Sequence, residues 1–268
     1  MLETVPDILA RIVAKKRVEL AAGGGLALWE PRAEARLAEG TGRRDFRGAL
    51  AARAATGAPA IIAEMKKASP SKGVLAEDFA PARIAAAYHR GGATALSVLT
   101  DESFFQGSLA DLETARAAVP LPVLRKDFTI AAEQIVEAAA HGADAILLIA
   151  AILSERQIRD FRETAARYGM AALVEVHRLR ELEVAVAAGS DLIGVNNRDL
   201  TTFEVSLETS LRLAEHMPAG ALRVSESGIH DARDIATLRA AGYGAFLVGE
   251  HLMKSGDPAA ALERLVAA

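Results

Sequence analysis

Charged and amide side chains recur where apolar segments of this chain end. Glu64 and Lys66 follow Ile61-Ile62-Ala63, and Lys126 and Asp127 follow Val123-Leu124. The pattern continues further along, with Glu175 after 173–174, Asn196 and Arg198 after 192–195, and Glu226 and Ser227 after 222–224. Because a strand interior excludes uncompensated charge, this recurrence predicts a polar site built at one end of several strands.

The chemistry that these residues could carry is proton transfer. Side chains alternate along a strand, so Glu64 and Lys66 lie on the same side. If Lys126, Glu175 and Glu226 occupy comparable depths with Asn196, two ammonium groups share one pocket with three carboxylates. Such crowding separates pKa values, so that one group donates a proton while another accepts it. The alternative, an ion-pair network that only holds the fold together, is disfavoured by the cost of desolvating so many charges.

A phosphate site is predicted after the seventh and eighth apolar segments. Ser227-Gly228 and Gly249-Glu250 place small residues there, whose backbone N–H groups can approach an oxyanion closely. Arg198 and Ser69 could complete the site. A glycine in such a position can also mean only a tight turn, and the pairing of two adjacent segments favours phosphate.

Two further features suit an anionic substrate with a planar ring. The segment KKASPSKGVLAEDF carries Lys67 and Lys72 among small and turn-forming residues, which is typical of a lid but also of an ordinary flexible loop. Phe104, Phe105 and Phe128 could clamp a ring, with core packing as the alternative.

The elements that must position these residues repeat along the chain. Eight apolar segments alternate with amphipathic stretches that end near glycine, as in RGGATALSVL and AHGADAILLI. Ser108 and Ser154 are predicted helix caps, and Pro81 suits a first helical turn. The pattern predicts an α/β fold, a (β/α)8 TIM barrel, with an open doubly wound sheet as the alternative.

Residues 1–55 lie outside this repeat and are predicted to be an N-terminal helical extension of one domain, 1–268. We expect two or three helices, with Gly23-Gly24-Gly25 and Pro31 separating the first from the next. The Lys15-Lys16-Arg17 run is predicted to be a solvated helix face, with contact to the barrel mouth or a ligand as the alternative.

Composition narrows the possible partners. A net charge of -4 over 268 residues disfavours a nucleic-acid partner. Cysteine is absent, and the six histidines lack HxH or HExxH spacing, so we expect no metal site. No apolar run has membrane-spanning length and the N-terminus lacks a signal peptide pattern, so we expect a soluble cytoplasmic protein without a membrane partner. We expect a monomer with no obligate protein partner.

The motifs resemble those of the indole-3-glycerol phosphate synthase family of tryptophan biosynthesis. The matching stretches cover nearly the whole chain in the family's order: ILARIVAKKRVEL, AEMKKASPSKG, SVLTDESFFQGS, LRKDF, LLIAAIL, LVEVH, IGVNNRDL, VSESGI and FLVGEHLM. The resemblance implies closure of the indole ring of 1-(2-carboxyphenylamino)-1-deoxyribulose 5-phosphate, a carboxy-lyase reaction that releases CO2 and water and needs no cofactor.

The resemblance also implies roles for individual residues. Lys126 is the general acid at the substrate carbonyl, Lys66 is the partner of the substrate carboxylate, and Glu175 is the acid and base for dehydration. Glu64 and Glu226 stabilise the developing iminium charge and position the lysines, while Asn196 binds substrate hydroxyls. The implied binding residues are Ser69, Phe105, Phe128, Arg198, Leu200, Ser227, Gly228, Gly249 and, through its backbone, Glu250.

Two other readings of the same residues stay open at this stage. The chain could be another phosphosugar enzyme of the same fold, either an isomerase or an aldolase that uses Lys126 or Lys66 as a Schiff-base nucleophile. It could also bind a phosphorylated metabolite without catalysis. That reading explains the glycines and Arg198 but not the acid-base set.

Overall fold

Eight parallel strands close into a barrel, as the repeat predicts. The computed structural model describes residues 6–38, 40, 42–70 and 72–268. Outside these ranges lie residues 1–5, Glu39 and Thr41 of the predicted extension and Ser71 of the predicted lid. The strands are β1 Ala60–Met65, β2 Ala95–Leu99, β3 Val123–Lys126, β4 Ala145–Ile149, β5 Ala171–Val176, β6 Leu192–Asn196, β7 Leu222–Glu226 and β8 Ala245–Val248.

Each strand pairs with its neighbours in sequence, and β1 pairs with β8 to complete the ring. Ala60 lies opposite Ala245, and Ala63 opposite Val248, in that closing pair. The open doubly wound sheet is therefore excluded. A short antiparallel ribbon, Ala68–Ser69 with Gly73–Val74, follows β1 within the predicted lid.

Helices surround the barrel and precede it. Those before β1 are α1 Asp7–Ala22, α2 Gly25–Ala38 and α3 Phe46–Ala55. The others are α4 Pro81–Arg90, α5 Glu102–Phe105, α6 Leu109–Ala118, α7 Ala132–Ala140, α8 Glu155–Arg167, α9 Leu179–Ala187, α10 Glu208–Ala214, α11 Ala232–Ala240, α12 Glu250–Lys254 and α13 Pro258–Val266, with a 3-10 turn at Ala150–Ile152.

The helix start and stop signals predicted within the repeat are confirmed. The Ser154 hydroxyl accepts from the backbone N–H of Gln157, and Ser108 caps α6 in the same way. Pro81 is the first residue of α4. At the predicted stop signals, Gly92 and Gly142 have φ of 87° and 82°, a left-handed conformation that lets the chain leave the helix and enter the next strand.

Strand alternation divides the core in two. Ile62, Leu124 and Leu173 point into the barrel, whereas Ile61, Val123 and Val174 face the surrounding helices. Phe46 and Leu50 of α3 pack on the interior set at the amino end of the strands. The carboxyl end is left for polar side chains.

The prediction that Pro31 helps to separate the first helix from the next is wrong, although the break at Gly23-Gly24-Gly25 is confirmed. Pro31 lies inside α2, which packs against α7. The carbonyl left without a helical partner belongs to Ala27, and both residues are exposed. Water can therefore satisfy that carbonyl, which reduces the cost of proline within a helix.

The prediction of a solvated Lys15-Lys16-Arg17 face is wrong for Lys16. Its side chain is 8% exposed, and its Nζ lies 2.9 Å from both Asp101 Oδ2 and Asp127 Oδ1. Two buried carboxylates beneath α1 require a counter-charge, and Lys16 supplies it from the face that packs on the barrel. Lys15 and Arg17 are exposed as predicted.

Among the described residues, no helix is both long enough and apolar enough to cross a membrane. The same part of the chain has no group of three or more His, Asp or Glu residues arranged to hold a metal ion.

Candidate active site

A cavity of about 390 Å³ opens at the carboxyl end of the strands. Its lining includes every residue to which the family resemblance assigns a role: Glu64, Lys66, Ser69, Phe105, Lys126, Phe128, Glu175, Asn196, Arg198, Leu200, Glu226, Ser227, Gly228, Gly249 and Glu250. These residues come from the ends of seven strands and the segments that follow them. The closed barrel brings them together because parallel strands present their carboxyl ends on one face.

Lys126, the last residue of β3, lies between two carboxylates. Its Nζ is 2.9 Å from Glu175 Oε2 at the end of β5 and 3.1 Å from Glu226 Oε2 at the end of β7. Burial opposes the charge of the ammonium group, but the carboxylates of Glu175 and Glu226 outweigh it and raise the pKa of Lys126 far above its ordinary value. Lys126 is therefore a charged proton donor at neutral pH.

The two carboxylates beside Lys126 differ in their affinity for a proton. Burial opposes ionisation of Glu175, but Lys126, His177 and a hydrogen bond from Asn196 lower its pKa to about 2. Burial and the like charges of Glu175 and Glu64 raise the pKa of Glu226 to about 7, despite the nearby Lys126. The separation of pKa values predicted from the crowded charges is confirmed.

Glu64 and Lys66 form a second ion pair, with Lys66 Nζ 2.8 Å from Glu64 Oε1. The two residues line the cavity from the end of β1, as their spacing predicts. A Cβ atom at Gly249 would collide with the Glu64 side chain. Glycine is thus required at the end of β8 so that the backbone can pass close to this carboxylate.

The turn after β7 consists of small residues with a left-handed backbone. Ser227 and Gly228 have φ of 68° and 77°, so two successive residues are left-handed. The Ser227 hydroxyl donates to Asn196 Oδ1 at 2.9 Å, and the backbone N–H of Arg198 donates to the same oxygen at 3.0 Å. The Arg198 guanidinium lies 3.3 Å from Glu250 Oε2, at the start of α12. A cation and small residues therefore converge at the ends of β6, β7 and β8.

One wall of the cavity is apolar. The rings of Phe105 and Phe128 lie 5.9 Å apart, tilted by 33°. Ile8, Leu9 and Ile12 of α1 complete this wall, so the extension forms part of the site. Phe104 packs against the interior core instead. The wall suits a flat apolar ring.

Sequence reasoning missed His177 and the α1 side chains. His177 Nε2 lies 3.4 Å from Glu175 Oε1, and its Nδ1 lies 3.2 Å from Glu181 Oε2. The two-residue spacing of Glu175 and His177 is the same signal that places Glu64 with Lys66, and it could have revealed His177. Nothing in the α1 sequence distinguishes the face that reaches the cavity from an ordinary core face.

Fold and site together define a class: TIM-barrel enzymes that act on small phosphorylated molecules. The family model for indole-3-glycerol phosphate synthase matches residues 9–265. The chain is 53% identical over 261 residues to the indole-3-glycerol phosphate synthase of Burkholderia vietnamiensis, covering 97% of this chain and 98% of that protein. It is 52% identical over 268 residues to the enzyme of the same name from Variovorax paradoxus, at 97% and 99% coverage. The chain belongs to the indole-3-glycerol phosphate synthase family.

Solved structures support the fold alone. A 3-hexulose-6-phosphate synthase matches with a TM-score of 0.62 and 15% identity, covering 78% of this chain and 98% of that one. A thiamine phosphate pyrophosphorylase from Pyrococcus furiosus matches with a TM-score of 0.57 and 18% identity, covering 77% and 93%. Identities this low extend the comparison to the barrel and no further.

Proposed function

We propose that the chain catalyses the reaction for which its family is named, in tryptophan biosynthesis. In this reaction 1-(2-carboxyphenylamino)-1-deoxyribulose 5-phosphate closes its ring to indole-3-glycerol phosphate, with loss of CO2 and water. The observation that carries the proposal is the Lys126 ammonium held between Glu175 and Glu226 on the cavity wall. The apolar wall fits the substrate's aromatic ring, and the turn around Ser227, Gly228 and Arg198 fits its phosphate.

Ring closure needs an acid at the carbonyl oxygen. The ring carbon that bears the carboxylate attacks the carbonyl carbon, and Lys126 donates a proton to the oxygen as it becomes a hydroxyl. Positive charge then develops on the ring nitrogen as an iminium. The carboxylates of Glu64 and Glu226 stabilise it from within a largely desolvated site.

Decarboxylation and dehydration complete the conversion. Lys66 pairs with the substrate carboxylate and orients it until CO2 leaves and its bonding electrons neutralise the iminium. Glu175 then protonates the hydroxyl, which leaves as water, and accepts a proton from the adjacent methylene carbon. Asn196 orients the substrate hydroxyls. Every bond change is assigned to a side chain, so the mechanism invokes no cofactor.

The proposal also covers the oligomeric state and the location of the protein. All the residues assigned above belong to one chain, so a monomer suffices for catalysis and no protein partner is required. The substrate carries a phosphate and a carboxylate, and such an anion does not cross membranes unaided. We therefore propose that the enzyme acts in the cytoplasm.

The experiment that tests the proposal measures indole fluorescence after the substrate is added without metal or nucleotide. We expect wild type to form indole-3-glycerol phosphate and Lys126→Met to lower kcat by roughly 100-fold or more, because the general acid is lost. Lys15→Met changes an exposed lysine and should behave as wild type. Product formation by a folded Lys126→Met at the wild-type rate would remove Lys126 from this role.

Borohydride treatment separates this proposal from an aldolase. A Schiff base requires a neutral amine, whereas the two carboxylates beside Lys126 keep it charged. We expect no covalent adduct on lysine when substrate and borohydride are mixed with the enzyme. A trapped adduct would favour the aldolase reading.

A further inference from the structure

His177 is a buried titratable group to which the mechanism above gives no task. It follows β5 in the chain, and its side chain lies between two carboxylates. Nδ1 is 3.2 Å from Glu181 Oε2, and Nε2 is 3.4 Å from Glu175 Oε1. Glu181 Oε2 also accepts the backbone N–H of His177 at 2.7 Å, which fixes this carboxylate at the start of α9.

The geometry favours a protonated imidazole. A carboxylate accepts but does not donate, so Nδ1 carries a proton toward Glu181 Oε2. Nε2 is buried without a hydrogen-bond partner among the described residues, and the charge of Glu175, whose Oε1 lies 3.4 Å away, favours a proton there as well. Burial opposes the charge, but the hydrogen bond to Glu181 and the charge of Glu175 raise the pKa of His177 above its ordinary value, with a smaller contribution from Glu226. His177 thus holds a proton that faces Glu175.

His177 also lines a second cavity, which shares Asn196 and Arg198 with the active-site cavity. This second cavity, of about 660 Å³, is lined by His177, Arg178, Arg180, Glu181, Thr202 and Arg212, among others. Arg180 and Thr202 are exposed, so the cavity reaches solvent. Glu175 lines the first cavity but not the second, and Glu181 lines the second but not the first. His177 connects the two carboxylates.

The proposed reaction requires such a connection because it consumes a proton. The carbonyl oxygen leaves as water and so accepts two protons, one from Lys126 and one from Glu175. Only one proton is recovered, from the methylene carbon. It returns through Glu175 to Lys126, whose Nζ lies 2.9 Å from Glu175 Oε2. One proton per turnover must therefore enter from solvent, and Glu175 begins the cycle ionised.

We propose that His177 is a positioning and proton-relay residue that supplies Glu175 with the proton it gives to the leaving hydroxyl. His177 Nε2 transfers the proton to Glu175 Oε1 as the iminium is neutralised and Lys126 has lost its own proton. His177 keeps the Nδ1 proton that faces Glu181, and water from the second cavity then returns a proton to Nε2. The inference rests on the proposed role of Glu175 in dehydration.

The test compares variants that keep or remove different properties of the imidazole. His177→Gln retains an N–H group near Glu175 but cannot pass a proton on, so we expect kcat to fall about tenfold or more while KM changes by less than about twofold. In a rapid-mixing single turnover of His177→Gln, CO2 release should precede indole formation, because the relay acts after decarboxylation. His177→Ala should regain activity on addition of imidazole, which can enter from the second cavity.

His216→Gln is the matched control, because His216 is exposed and belongs to neither cavity. A purely structural hydrogen bond would be replaced by glutamine, so a wild-type kcat in His177→Gln overturns the relay. A His177→Ala variant that imidazole does not rescue, with indole formation keeping pace with CO2 release, also overturns it. If His177→Ala does not fold, the single turnover of His177→Gln decides.

Failure of the relay is distinguishable from failure of the proposed function. Absence of product with wild-type enzyme refutes the function itself. Full activity of Glu175→Gln refutes the role of Glu175, and the relay with it. Normal turnover in both His177 variants, with an inactive Glu175→Gln, refutes the relay alone.

Discussion

At the scale of single residues, Glu226 is a carboxylate of the site whose charge changes near neutral pH. Its pKa is raised to about 7, so it is neutral in acid and ionised in mild base. If the ionised form stabilises the iminium, kcat/KM should rise with pH through about 7 in the wild type. We expect Glu226→Gln to remove that rise and to lower the plateau, measured between about pH 5.5 and about pH 9.

The substrate phosphate can titrate in the same range, so the comparison between variants is what identifies Glu226. Glu208→Gln, at an exposed position of α10, is the control and should retain the wild-type profile. An acid limb that persists unchanged in Glu226→Gln would assign it to another group.

Arg198 and Glu250 offer a second test at this scale. Arg198→Ala should raise KM about tenfold or more with a smaller effect on kcat, because a charge-assisted phosphate contact is lost. Glu250→Gln should lower KM a few-fold, since its carboxylate, 3.3 Å from the guanidinium, competes with the phosphate. Inhibition by inorganic phosphate should strengthen in the same variant. A raised KM in Glu250→Gln would show that the carboxylate instead holds Arg198 in position.

At the scale of elements, α1 lines the cavity and is also joined to the barrel by ion pairs. Lys16 ties it to Asp101 and Asp127, and Asp127 directly follows Lys126 in the chain. Lys16→Met leaves two buried carboxylates short of a counter-charge, so we expect a loss of about 3 kcal/mol in the free energy of unfolding. KM should also rise, since Leu9 and Ile12 lose their position. Urea unfolding and steady-state kinetics measure the two effects.

Lys15→Met and Arg17→Met are the controls for this element, because both residues are exposed. If Lys16→Met were as stable as these two, the ion pairs would contribute nothing beyond their own desolvation cost.

The strands and the polar site could be predicted from the sequence, whereas the environments of Lys16 and Pro31 could not, for physical reasons. The eight strands follow from short apolar segments that local signals bound, and the site follows from polar residues at the strand ends. Whether Lys16 is solvated depends on Asp101 and Asp127, which are far away in the chain and close only after folding. Pro31 is tolerated within α2 because it lies on the exposed face of that helix, and no local sequence pattern predicts which face is exposed.

At the scale of the whole molecule, the two ends of the barrel hold their buried charges differently. At the amino end, Asp144 accepts the backbone N–H groups of Arg44 and Val123 and pairs with Arg116 at 3.1 Å. This carboxylate is fully satisfied and joins α6 and the segment that precedes α3 to the strands. At the carboxyl end, Glu226 Oε1 is buried without a hydrogen-bond partner among the described residues. The amino end is built for stability, whereas the carboxyl end retains an incompletely compensated charge for chemistry.

This difference predicts that ionisation of Glu226 at high pH lowers the free energy of unfolding of the whole protein. The folded-state pKa of about 7 lies above the ordinary value of 4.5, so folding favours the protonated form. That contribution is complete below about pH 4.5 and is lost as the pH rises through 7. Glu226→Gln stays neutral, so it should match wild type near pH 5 and exceed it at pH 8.5 by on the order of 1–3 kcal/mol in thermal or urea unfolding. Lys126 keeps Glu175 as its partner in this variant. A variant less stable than wild type at pH 8.5 would mean that the Lys126–Glu226 pair stabilises the barrel by more than the burial of Glu226 costs.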